Sequence, residues 1–364
     1  MKISISLTII TLIIGFIVLL FSYTIGYPSL DDKSKIQFYA DTPTYEKAYD
    51  EKNFHDYSSR LDFSYNYFGP LLILDITKKN RYIITFINIA LFLYSVILIN
   101  RAFKVKKLTL IILLLSSPIL FSSLVFLNKE IFYLLSISMF FYAQSSRNIK
   151  IFFTFFIFSI LIAFLARWQL SLFIIAIGIT LNIKIFREHL IATIIMLSFV
   201  LSLFYNSLAE NQFSSVFDVL DNTQDDHMGG GYFYLFHELS QKGLYFIIYP
   251  IKAIFLNFAM IKNISFILTL SDSFYNNTVI TIHSMVNFLL WVYVIAYKTK
   301  KVNKDIIYIL LLFSVIFCMT PIFAPRYFII FHIVAAITIS LKNNSSFNFI
   351  RLYDKPPIEA FRKK

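Results

Sequence analysis

Long apolar runs separated by short charged turns make up most of the chain. Apolar stretches at about 3–25, 82–99, 108–127, 131–145, 151–166, 169–183, 190–207, 279–297, 306–322 and 327–341 read as ten helical spans. A bilayer core about 30 Å thick takes about 20 helical residues, so the shortest runs imply helices that extend a little past the apolar core. Residues 108–145 are apolar apart from Asn128-Lys129-Glu130 and would be roughly 57 Å long as one helix. That run must fold back, and the charged triplet is where it turns. The arrangement recurs at Arg167-Trp168 within 151–183 and at 320–326, which ends in Pro325-Arg326, within 306–341. Two longer polar stretches, 26–81 and 208–278, form the larger loops. Within the second, residues 244–271 are apolar but carry Pro250, Lys252 and Lys262, and read as a re-entrant or interfacial hairpin. The expected fold is an all-α polytopic integral membrane protein: one transmembrane domain over 1–341, then a basic tail, 342–364.

Composition agrees, at 58% hydrophobic residues and a mean hydropathy of +0.69. Residues 3–25 are long for a signal-peptide core and lack a small-residue cleavage site, so a retained first span is expected. The net charge of +12 would suit nucleic acid in a soluble protein, but its distribution points elsewhere. With the N-terminus inside, segments 1–2, 100–107, 146–150, 184–189, 298–305 and 342–364 hold 19 Lys/Arg and four acids. The remaining 14 Lys/Arg face 17 acids on the outer side. This is the positive-inside pattern, with the excess charge against the cytoplasmic lipid surface, and it removes the nucleic-acid reading. Both termini are expected in the cytoplasm. Cys318 is the only cysteine, which excludes an intramolecular disulfide and a cysteine-based metal site.

In this topology Lys129, Glu130, Arg167 and Arg326 all reach the outer membrane face. Ionisable groups at membrane depth cost roughly 2.5–3.5 kcal/mol each on insertion scales, so they are candidates for function. An arginine presents a planar fork suited to phosphate oxygens; its other use is to snorkel to headgroups or to pair with Glu130. Lys129-Glu130 can equally hold hairpins together by an ion pair. The first outer loop interleaves carboxylates with aromatic rings, Tyr45 among them, a pattern that suits sugars or the core of a small folded cap. Asp41, ahead of a proline turn, is the candidate general base. His332 lies about one and a half turns beyond Arg326 and faces either the same cavity or the helix core. Asp225-Asp226-His227-Met228-Gly229-Gly230-Gly231 matches no metal or phosphate-loop spacing and reads as a surface turn. The residues present call for no metal and no cofactor.

The span count, the outer loop in the second half and the arginines at helix ends resemble the Wzy-type O-antigen and capsular polysaccharide polymerases. The strings Asp41-Thr42-Pro43-Thr44-Tyr45, Asn128-Lys129-Glu130 and Pro325-Arg326-Tyr327 look like segments of such proteins, including the EpsG-like group. The long loop after the first span departs from the ligase-like members and is similar to that of glycosyltransferases using lipid-linked sugars. The resemblance implies a bacterial inner-membrane enzyme that joins undecaprenyl-diphosphate-linked repeat units, with membrane lipids and a chain-length regulator as partners. It implies that Arg167 and Arg326 neutralise the leaving diphosphate and that Asp41 or His332 takes the acceptor proton. Tyr45, Lys129, Glu130, Trp168 and Tyr327 would line the substrate. A glycosyltransferase using a polyprenyl-monophosphate sugar and a lipid-linked oligosaccharide flippase stay open as alternatives.

Overall fold

A computed structural model describes residues 42–51, 68–222, 230–257, 274–319 and 325–350, the last without 344, 346 and 348. The expected first span 3–25, most of the first loop, Asp41, 258–273, 320–324 and 351–364 lie outside the described residues.

The described chain is helical, and its one pairing between extended segments is an isolated antiparallel bridge, Val105 with Leu341. In order, α1 covers Thr42–Glu51, α2 Phe68–Thr77, α3 Arg81–Phe103, α4 Lys107–Leu115, α5 Pro118–Val125 and α6 Glu130–Ser145. Then come α7 Ile149–Ala166, α8 Trp168–Asn182, the short α9 Lys184–Glu188 and α10 Leu190–Asn222. Next are α11 Gly230–Leu239, α12 Tyr245–Asn257, α13 Phe274–Tyr297, α14 Lys304–Phe317 and α15 Ile329–Ser340. Among the described residues, four stretches are long and apolar enough to cross a membrane: Arg81–Phe103, Ile149–Ala166, Leu190–Ser207 and Val279–Tyr297. The pair α4 and α5 would make a fifth, but it is bent by 90°.

Helix faces sort as they do in lipid. On α7, Ser159, Ala163 and Ala166 are buried, while Ile157, Phe158 and Leu161 are about half exposed. Small residues let helices approach closely, and large apolar ones face hydrocarbon at no cost. Gly69 is the tightest case: a Cβ there would stand 2.2 Å from the carbonyl oxygen of Leu165, so only glycine lets α2 cross the end of α7. The middle of the bundle is α6, buried on nearly every side between α3 and α7, with α5, α8 and α15 also against it. Ser136 on α6 donates to the Ser159 carbonyl of α7 at 2.9 Å.

The stretch expected as one span at 108–127 is two helices at a right angle. Proline cannot continue a helix, because it lacks the N–H and its ring meets the carbonyl four residues back. Ser116-Ser117-Pro118 is therefore a stop followed by a start: Pro118 opens α5, and the Ser117 hydroxyl caps it by accepting the Leu120 N–H at 3.3 Å. Irregular backbone at membrane depth persists only where protein satisfies it. Here the Leu113 carbonyl accepts from the Ser116 hydroxyl at 2.6 Å and pairs with His332 Nε2 at 2.8 Å. His283 Nδ1 of α13 holds the Ser117 hydroxyl at 2.8 Å.

At the ends of the helices that carry Lys104, Lys106, Lys301 and Lys342, residues 341–350 form a strap. The Lys106 N–H donates to the Ser340 carbonyl and the Ile350 N–H to that of Gln144, both at 2.8 Å. Phe347 is fully buried, stacked on Phe103 at 4.2 Å and edge-on to Phe141 and Phe349. The expected tail thus begins as packed structure, at least as far as Ile350.

Candidate functional site

The opposite ends of the helices carry the charged turns. The first lies between α5 and α6. After Val125 the chain runs extended at Phe126, which leaves three successive carbonyls without helical partners. Three side chains take them: Thr85 donates to Val125 at 2.9 Å, Asn88 to Phe126 at 2.9 Å, and Thr42 of α1 to Leu127 at 3.1 Å. The turn is thereby held open, with Asn128, Lys129 and Glu130 all buried. Glu130 opens α6, where a helix N-terminus favours negative charge.

The second turn is a single residue. Arg167 is extended, with φ −161° and ψ 131°, and serves as the end of α7 and the start of α8 at once. Its N–H donates to Ala163 at 2.7 Å and its carbonyl accepts from Leu170 at 3.0 Å. Both helices therefore fix where its side chain points. The guanidinium, 8% exposed by residue, puts Nη2 3.9 Å from Glu130 Oε1 and Cζ 3.9 Å from the centre of the Tyr327 ring. The third turn supplies that ring from a short 3-10 segment, Pro325–Phe328, and Arg326 lies 5.7 Å from the same ring centre. Lys129 sits 5.3 Å over the ring of Tyr45 on α1. Beside it, Glu46 accepts two bonds from Arg81, at 3.2 and 2.9 Å.

Of the residues singled out from sequence, Glu130, Arg167, Arg326 and Tyr327 thus belong to one set of contacts, and Lys129 with Tyr45 forms a second beside it, joined to the first through the chain at Glu130. Trp168 stands next in the chain, half-buried as the first residue of α8. His332 is not part of the set: it is buried on α15, bonded to the Leu113 carbonyl and 5.4 Å from the ring of His283. It holds the bend between α4 and α5. Asp41 lies outside the described residues.

Two residues were missed. Tyr133, one turn along α6 from Glu130, is buried with no hydrogen-bond partner for its hydroxyl among the described residues, within electrostatic reach of Arg167. Gln169 Oε1, in the first turn of α8, is likewise buried without a partner, as is the second oxygen of Glu130. Tyr133 and Glu130 are three apart and so share a helix face, a signal present in the sequence.

Among the described residues, Arg167 and Arg326 lie against the Tyr327 ring with Glu130 beside them, and Lys129 lies over Tyr45 with the Arg81–Glu46 pair beside it. The guanidinium fork of Arg167 offers five donors, and the Tyr327 face holds it without using them. An oxyanion entering here would meet charge-assisted donors already desolvated and aimed. Among the described residues no three His, Cys, Asp or Glu side chains gather as a metal site. Compared with family models, curated proteins and solved structures, the chain matches none.

Proposed function

We propose that this protein polymerises undecaprenyl-diphosphate-linked oligosaccharide repeat units into a surface polysaccharide, as the resemblance to Wzy-type polymerases implies. The observation that carries the reading is the meeting of Arg167, Arg326, Glu130 and Tyr327 at one end of an apolar bundle. Donor and acceptor of such a reaction keep their lipids in the bilayer and their sugars and phosphates at its edge. A cationic cluster at helix ends is where a lipid diphosphate would come to rest. The fold belonging to this reading has about ten crossings and a re-entrant or interfacial segment at 244–271. It sits in a bacterial inner membrane with both termini cytoplasmic and the arginine cluster outside.

In the reaction, an acceptor hydroxyl attacks the anomeric carbon of the donor glycan. The bond from that carbon to the diphosphate oxygen breaks, and the diphosphate leaves with the electron pair. Arg167 and Arg326 stabilise that developing charge, and such preorganised donors are commonly the largest part of catalysis. The acceptor proton goes to a base; Asp41 is favoured over His332, whose Nε2 is engaged at Leu113. Aromatic faces such as Tyr45 and Trp168 would carry the sugar rings. Lys129 and Tyr327 complete the lining.

The test is Arg326→Lys against Arg326→Ala, read as glycan length on the cell at matched protein level. Lysine keeps the charge and loses the planar fork. A leaving-group contact is worth about 3 kcal/mol, roughly a hundredfold in rate, so both variants should leave mainly single repeat units on lipid. Full-length glycan in the lysine variant would remove Arg326 from the site. Intermediates trapped on the inner leaflet in a deletion strain would favour the flippase instead.

A further inference from the structure

At the opposite, basic end, Lys298, Lys300 and Lys301 line an open cavity of about 700 Å³ with Tyr297, Thr299 and Ser345. Among the described residues the lining contains no carboxylate. Lys301 donates to the carbonyls of Leu341 and Lys342 at 3.0 and 2.8 Å, so the strap forms one wall. Partial burial, with Lys298 and Lys106 close by, holds the Lys301 ammonium below the ordinary lysine value. Like charges brought together this way are relieved by an anion in their midst. Ser345 adds a hydroxyl to the lining, while that of Thr299 is spent on the Ile295 carbonyl.

The side of the cavity that continues along α13 is apolar. Leu289, Val292, Tyr293 and Ile295 are exposed, and Tyr297, where the helix ends, is 75% exposed. The Tyr293 and Tyr297 rings lie 5.1 Å apart, at the level where amphipathic rings mark a membrane–water boundary. A soluble anion would answer the lysines and leave this face unused. A lipid with a charged headgroup answers both.

We infer that this cavity binds the phosphate of an anionic phospholipid whose acyl chains lie along α13, and that the bound lipid braces the strap. The site is remote from the arginine cluster and does not depend on the proposed reaction.

Full-length protein in lipid nanodiscs of phosphatidylglycerol or phosphatidylcholine provides the test, with retained lipid counted by native mass spectrometry and affinity by titration. Wild type should hold phosphatidylglycerol selectively. Lys298→Gln with Lys300→Gln should weaken it roughly thirtyfold, about fivefold per lysine removed from an anionic headgroup. Lys104→Gln with Lys107→Gln, which do not line the cavity, should change it little. Equal retention of the two lipids, or undiminished retention by the first double variant, overturns the site. Displacement by inorganic phosphate as readily as by lipid would make the ligand a soluble anion and overturn the lipid assignment. A further reading needs no variant: trypsin should cut wild type after Lys342 more slowly in phosphatidylglycerol than in phosphatidylcholine. Equal rates would refute the bracing.

Discussion

At one end of α6, Glu130 faces Arg167 and Arg167 lies on Tyr327; at the other, the Gln144 carbonyl takes the Ile350 N–H under a cover of phenylalanines. The two ends hold together by different physics. Backbone hydrogen bonds and packed rings have one good arrangement, which a lipid bound beside them would brace and not rearrange. Ion pairs and cation–π contacts have several arrangements, because a guanidinium keeps donors to spare and a carboxylate can exchange one cation for another. An arriving anion can re-partner the charged end without unfolding it. Under the proposed reaction, gripping and releasing a charged substrate would use one end that is fixed and one that is re-partnered.

The largest test of this contrast is Arg167→Ala. It strands the Glu130 carboxylate in a buried place, where removing one partner of an ion pair costs about 3–5 kcal/mol, and under the proposed function it should abolish polymerisation. Adding Glu130→Gln should recover part of the thermal stability in detergent and none of the activity. If the double variant melts no higher than the single one, the ion pair is not what holds that end. Phe347→Ala should come next, costing about 3 kcal/mol as a large ring lost from a core. Its effect should be on melting alone, with glycan length per folded molecule unchanged; shortened glycan would mean that the strap is coupled to the charged end. The smallest effect is expected from Thr42→Val, which removes one hydrogen bond worth about 1 kcal/mol. Hydrogen exchange at the amides of 127–129 should quicken about fivefold, and unchanged exchange would show that α1 does not anchor the turn.

Much of the bundle can be read from hydropathy because single-period apolar runs leave little choice. The run at 279–297 lies within the observed helix Phe274–Tyr297, and 82–99 lies within Arg81–Phe103. The right-angle break at Ser116-Ser117 escapes a hydropathy reading, since serine and proline scarcely lower the average over twenty residues. Capping chemistry does announce it: Ser117 before Pro118 is a helix start. The strap escapes for another reason. Phe347 and Phe349 alternate with polar residues in a short basic stretch, and only the ends of α3 and α6 tell them where to pack. At the charged end, the three turns each show their cations, but that Arg167 meets Tyr327 is a matter of tertiary approach. His332 shows the limit of helical spacing: six residues from Arg326, it serves a bend in α4–α5 that spacing alone does not reveal.

The near-complete burial of α6 also bears on how the protein is made. Glu130, Ser136, Ser138 and Gln144 all end up away from lipid, yet of the helices around α6 only α3 and α5 precede it in the chain. α15 leaves the ribosome more than 180 residues later, roughly 10–40 s at about 5–20 residues per second. For that interval α6 must shelter its polar residues against α3 and α5, made before it, and α7 and α8, made just after it, or remain with the insertion machinery. Substitutions on the face of α3 turned to α6 would then be felt first as lost yield during synthesis, before any change in how the finished protein melts.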